Sequence, residues 1–356
     1  MSHNKNNGPW WNDWTGKSTF TVPVPALNRA PQQLRCRRLR IVLVALASCF
    51  VLPVGVFLFG AFVSDPFGLV WTFGAGYPEW SPDGKQIVFR CDQEDVYDGA
   101  VCVRRADRDE RHLIRPWSGY YNGIYSTWSP DGKKILSSGF GVRVFNPDGT
   151  DEQELSRSGW GAVWSPDGTK IAFLHKGVLV MNGDGSDKQR LVVPVNLQDP
   201  GSVLTWAPDG KHLLYQDSGR FSGRPTLFVL DADGKAAPRR LGRGEEAVWS
   251  PDGKHVAFTQ DNSIWLMNAD GSDRRRLTMG TRDGSPRWSP SGKSLVYVRD
   301  GYDVCLLYPD EGTIHFVAHG KDPAFSPDGK RLAFVNNSGE GGFSRVRVIP
   351  LGCWAR

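Results

Sequence analysis

The chain has 356 residues, with 43 basic and 38 acidic side chains and a formal net charge of +5. The charge is uneven: residues 1–40 carry Lys5, Lys17, Arg29, Arg35, Arg37, Arg38 and Arg40 against the single Asp13, so the remainder is close to neutral and a nucleic-acid-binding body is disfavoured. Forty-one Gly and 24 Pro are too many for a helical bundle, and six Cys over this length do not make a disulfide scaffold.

Residues 1–40 show neither helical nor strand periodicity and read as a disordered cytoplasmic tail. Its Trp10, Trp11 and Trp14 suit either the lipid headgroup level or a cytoplasmic partner, beside the plain alternative that they serve neither. Residues 41–63, IVLVALASCFVLPVGVFLFGAFV, contain no charge. A helix of that length crosses a hydrocarbon core of about 30 Å. Arg35, Arg37, Arg38 and Arg40 precede it, which predicts a single span of the bacterial cytoplasmic membrane with the N-terminus inside and residues 64–356 outside. The alternative is a lipoprotein: Leu46-Ala47-Ser48-Cys49 resembles a lipobox whose Cys49 would be lipidated, although the apolar text after Cys49 replaces the expected polar tether.

The rest of the chain is a repeat. Trp80-Ser-Pro-Asp-Gly-Lys recurs at Trp128, Trp164, Trp206, Trp249, Trp288 and Phe325, with spacings of 48, 36, 42, 43, 39 and 37 residues. Such a period suits a four-stranded propeller blade. In Ser-Pro-Asp-Gly, Pro presets φ at the second turn position, Asp suits the third and Gly supplies the left-handed conformation that follows. Alternating strand text comes after each turn, as in Lys254-His-Val-Ala-Phe-Thr, and most motifs continue into a second strand pair with its own Asp-Gly turn. After the seventh motif one strand remains, Arg345-Val-Arg-Val-Ile-Pro-Leu, and before the first stands Gly68-Leu-Val-Trp-Thr-Phe. Joining the two completes a blade and leaves no open sheet edge. The predicted fold is therefore all-β, a seven-bladed β-propeller of four-stranded blades over residues 66–356.

The phrase W-S-P-D-G-K with a later D-A-D-G-S strand pair resembles the TolB-type propeller repeat, a WD-repeat-like family of bacterial envelope proteins, with the departures Ala207, Ser291 and Phe325. The resemblance implies fold more than role, because the separate α/β domain that TolB carries before its propeller is not read in this chain.

One large aromatic per blade fills the wedge between successive sheets, so Trp80, Trp128, Trp164, Trp206, Trp249, Trp288 and Phe325 are read as core rather than as a sugar-stacking array. The acidic turns invite a calcium reading but lack the distal Glu of a calcium loop and already satisfy turn chemistry. His315 and His319 are separated by strand text, and no phosphate loop or nucleophile elbow appears, so no metal, cofactor or catalytic residue is assigned. In an oxidising compartment Cys91 and Cys102 are placed to bridge the hairpin between the second and third strands of the first blade, and Cys305 and Cys353 form a more speculative pair.

Alternating strand direction sends both Gly-containing turns of each blade to one face and the variable loops to the other. The loop face is expected to bind, with Trp117, Tyr120, Tyr121, Arg220, Phe221, Arg224 and Tyr302 as the interface-forming types, ordinary loop residues being the alternative for each. The favoured function is a membrane-anchored extracytoplasmic scaffold for an envelope protein or peptide, or a glycan. The alternatives are a hydrolase or lyase using a carboxylate pair at the channel, and a sensor signalling through the tail.

Overall fold

The computed structural model describes residues 73–93, 96–108, 111–115, 125–139, 141–191, 203–217, 224–337 and 344–352. The tail, the 41–63 segment and Cys49 lie outside the described residues, among which no helix is long and apolar enough to cross a membrane.

These residues form seven antiparallel sheets of consecutive strands, six with four strands and the last with three. The arrangement is a seven-bladed β-propeller. Each blade begins with the strand that ends on the motif aromatic: Phe73–Trp80, Tyr125–Trp128, Trp160–Trp164, Leu204–Trp206, Glu245–Trp249, Gly284–Trp288 and Lys321–Phe325. These are the innermost strands. One refinement concerns the chain before the first motif. Phe73 pairs with Asp92 inside the first blade and is not part of a closing strand, whereas residues 68–72 lie outside the described residues. The last sheet comprises Lys321–Phe325, Arg331–Asn337 and Ser344–Pro350.

No single core holds the molecule together. The buried apolar residues fall into seven clusters, and each joins one blade to its neighbour, because a strongly twisted sheet buries both faces only against adjacent wedges. The first and last blades meet like any other pair: Trp80, Ile87 and Phe89 pack on Ala333, Val335 and Val346. Every motif aromatic fills the wedge toward the preceding blade. Trp80, Trp128 and Trp206 also donate their indole N–H across that wedge, to the carbonyls of Ala324 (3.0 Å), Glu79 (3.3 Å) and Val163 (3.2 Å). Each acceptor immediately precedes the aromatic of the blade behind.

The turns explain their own sequence. Asp83 Oδ1 accepts the Ser81 hydroxyl (2.6 Å) and the Lys85 N–H (3.0 Å), while Ser81 Oγ accepts the Gln86 N–H (2.9 Å). The same lattice recurs at Asp131, Asp167, Asp252 and Asp328. Ser291 and Ala207 break it. Ala207 lacks the hydroxyl, and Asp209 takes over by accepting the His212 N–H (3.2 Å) and pairing with the His212 ring nitrogen Nδ1 (2.6 Å).

Cys91 and Cys102 form a disulfide across the second and third strands of the first blade, with Cα atoms 6.0 Å apart. Cys305, for which the sequence suggested a pairing with Cys353, is a free thiol among the described residues. It is fully buried between Tyr297 and Phe316 on a strand in the interior of the sixth sheet, and Cys353 lies outside the described residues.

Candidate functional site

The innermost strands expose one edge to the propeller axis, and that edge carries an irregularity no periodicity reveals. In five blades the pairing with the second strand slips just before the aromatic. The residue three positions before it then takes a left-handed conformation: Tyr77 (φ 52°), Gly161 (60°), Glu246 (51°), Ser285 (54°) and Asp322 (51°). A bulge re-aims side chains and releases ladder hydrogen bonds. For a non-glycine residue this region costs on the order of 1–2 kcal/mol. Gly161 avoids that cost; Tyr77, Glu246, Ser285 and Asp322 do not.

The released N–H groups are caught by side chains of the preceding blade. Glu246 Oε2 accepts the Ser285 N–H (2.6 Å) and the Thr259 hydroxyl (2.9 Å), and Gln216 Oε1 accepts the Glu246 N–H (3.2 Å). Ser138 Oγ accepts the Ala162 N–H (3.0 Å), and Asp322 Oδ2 accepts the Tyr77 N–H (3.5 Å). Side chains at the axis thus latch one blade to the next.

Around the meeting of the chain's first and last blades these groups converge into a cluster. The rings of Tyr77 and Tyr125 lie 4.6 Å apart, centroid to centroid. Glu79 keeps some exposed surface but is enclosed deeply enough that burial pushes its carboxyl up to about 7, against hydrogen bonds from the Trp128 N–H and the Thr127 hydroxyl and the charge of Arg287. Burial also raises the Asp322 carboxyl, opposed by Lys321, the Tyr77 N–H, Arg287 and Arg90. The Tyr125 phenol is raised by burial and then by Tyr77 and Asp322. Two carboxyls, two phenols and two guanidiniums from blades one, two, six and seven therefore interact in one polar cluster, in which Glu79, Tyr125 and Asp322 are half-buried and Tyr77 is exposed. Perturbed titration of neighbouring groups marks a candidate functional site. Tyr125 and Asp322 stand at the leading ends of their strands, toward the loop rim, and Tyr77 lies within the longer strand Phe73–Trp80.

The loop residues proposed from sequence do not join this cluster. Trp117, Tyr120, Tyr121, Arg220 and Phe221 lie outside the described residues, and Arg224 is exposed on the fourth blade. Tyr302, 36% exposed, stacks on His319 at 5.7 Å on the sixth blade, and the His319 ring nitrogen Nδ1 pairs with Asp303 at 2.7 Å. The axial residues do leave a signal in the sequence: Glu79, Glu246, Arg287 and Asp322 are charged side chains within three positions of the motif aromatic.

Comparison with known proteins agrees with this architecture. Residues 158–309 match the family described as TolB beta propeller domain. Over those residues the propeller is TolB-like. An uncharacterized protein of Agrobacterium fabrum, Atu1656, is 30% identical over 163 residues, covering 40% of this chain and 53% of that protein. The Tol-Pal system protein TolB of Rhizorhabdus wittichii is 33% identical over 73 residues, covering 18% of this chain and 17% of that protein. The chain thus spans about half or less of the curated relatives it matches. Oligogalacturonate lyase from Vibrio parahaemolyticus superposes with a TM-score of 0.61 at 12% identity, covering 80% of this chain and 92% of that one. At that identity the likeness of the TolB-like propeller to the lyase is one of fold.

Proposed function

We propose that this chain is a membrane-anchored, extracytoplasmic scaffold that holds a protein or peptide of the bacterial envelope against the loop rim of its propeller. The cluster of Tyr77, Glu79, Tyr125, Arg287 and Asp322 carries the reading. It offers aromatic faces, carboxyls and a guanidinium on a rigid frame, the composition of an interface anchor. The charge-free 41–63 segment behind four Arg supports the anchor and its orientation. The Cys91–Cys102 disulfide supports an oxidising compartment for the propeller. The partial likeness to Tol-Pal system protein TolB supports an envelope setting.

The test uses the full chain in its native membrane, with crosslinking and recovery of partners from cells carrying wild type, Tyr77→Ala or Asp322→Asn. A specific envelope protein recovered with wild type and lost with both variants, at unchanged thermal midpoints, supports the scaffold. Equal recovery with all three would remove the cluster from the interface. Protease shaving of spheroplasts that leaves the propeller intact would overturn the orientation.

A second reading rests on Glu79. A carboxyl pushed up to about 7 by burial, with the Arg287 charge acting on both it and Asp322, suits general acid–base work on a glycan or peptide. Turnover of envelope glycan fragments that is abolished by Glu79→Gln would favour that reading over the scaffold.

A further inference from the structure

Two grooves occupy equivalent places on the turn face, each between consecutive repeat turns and beside the Trp of the second blade. The first, about 340 Å³, lies between blades one and two, where its walls include Asp83 and Asp131 and no cation. The second, about 470 Å³, lies between blades five and six and adds cations to its two acids. Here the sixth turn carries Ser291 where the repeat has Asp, so Lys293 stands in a turn without a carboxylate. In the equivalent turns Lys85, Lys133 and Lys254 each face their own Asp at 3.5–3.9 Å.

Further donors line the second groove. Arg275 reaches into it from the outermost strand of blade five while giving Nη1 to the Pro309 carbonyl (3.4 Å), and His255 of the same blade lines it too. The Trp288 side chain also lines the groove; its indole N–H is buried without a partner, whereas that of Trp128 in the first groove donates to the Glu79 carbonyl. Trp164 and Trp249 share the unpartnered N–H but keep Asp in their own turns, so Trp288 alone combines it with an acid-free turn. Two carboxylates also line this groove. Asp252 is engaged by the Ser250 hydroxyl (2.6 Å) and the Lys254 N–H (3.1 Å), and Asp310 sits beside Arg275 among the lining residues.

We propose that the groove between blades five and six binds the side-chain carboxylate of an acidic peptide segment. Lys293 and Arg275 receive the oxygens, and Pro251, Leu266, Pro290 and the Trp288 ring receive the alkyl stem. The site is on the face opposite the loop rim and stands independently of the scaffold reading.

The test is titration calorimetry on the full chain in detergent micelles, with acetylated tetraglutamate amide and tetralysine amide as probes. Wild type is expected to bind the glutamate peptide at least tenfold more tightly than the lysine peptide. Ser291→Asp restores the repeat's own turn, so it should keep the thermal midpoint while weakening glutamate binding at least tenfold; Lys293→Gln should weaken it in the same direction. Tyr77→Ala should leave it unchanged, which separates this site from the loop rim. Wild-type binding of neither peptide, equal binding of both, or undiminished glutamate binding by both groove variants would overturn the assignment.

Discussion

Glu79 shows how one side chain sets a pH dependence. Its carboxyl sits above the unfolded value of 4.5, at about 7, chiefly through burial. Such a group favours the folded state fully below about pH 4.5 and loses that contribution as the pH rises through 7. After allowance for its partly exposed surface, the amount is on the order of 2 kcal/mol. Glu79→Gln should therefore flatten the dependence of the urea midpoint on pH between 5 and 8 and be at least as stable as wild type at pH 8. Parallel profiles would show that Glu79 titrates normally. Trp128 tests the packing side. Trp128→Ala should cost about 3–5 kcal/mol through the wedge it empties, and Trp128→Phe about 1–2 kcal/mol through a smaller ring and the lost bond to the Glu79 carbonyl. Equilibrium denaturation measures both.

The turns make their contribution as a set. The hydroxyls of Ser81, Ser129, Ser165, Ser250 and Ser326, followed by backbone N–H groups, hold the carboxyls of Asp83, Asp131, Asp167, Asp252 and Asp328 below the usual range. For groups depressed in the folded state, stability is present above the unfolded value and lost as the pH falls through the folded one. Acid should therefore loosen the propeller below about pH 4, and Asp252→Asn should shift that acid limb of the thermal midpoint to lower pH; an unshifted limb would place the acid sensitivity elsewhere. The turns were legible in the sequence because their hydrogen bonds are local: serine, proline, aspartate and glycine dictate the loop whatever surrounds it. The bulges were not. Tyr77, Glu246 and Ser285 adopt left-handed backbone where side chains of adjacent blades catch their N–H groups, and a contact between blades leaves no trace in the residue's own neighbourhood.

At the scale of the ring, repeat spacing announced seven wedges, and sequence spacing also placed the Cys91–Cys102 bridge on one hairpin. The meeting of first and last blades is a product of tertiary structure. Arg331 lies over the Trp80 ring, 4.6 Å from its centroid, and donates to the Gly84 carbonyl (2.7 Å), so one side chain holds the seventh blade to the first. Arg331→Ala should cost about 1–2 kcal/mol in chemical denaturation, with exposed Lys330→Ala as the neutral control. Reducing the disulfide, which closes a short loop, should cost about 2–3 kcal/mol, read as a lower thermal midpoint in reductant.

The polar cluster draws Tyr77 and Glu79 from the beginning of the ring and Arg287 and Asp322 from its end. A nascent chain therefore cannot present it until the circle is complete, and any molecule that engages it acts as a clasp across the join. Occupancy would tighten that join by mass action, so a bound partner would hide the seam from proteases more than any other boundary between wedges.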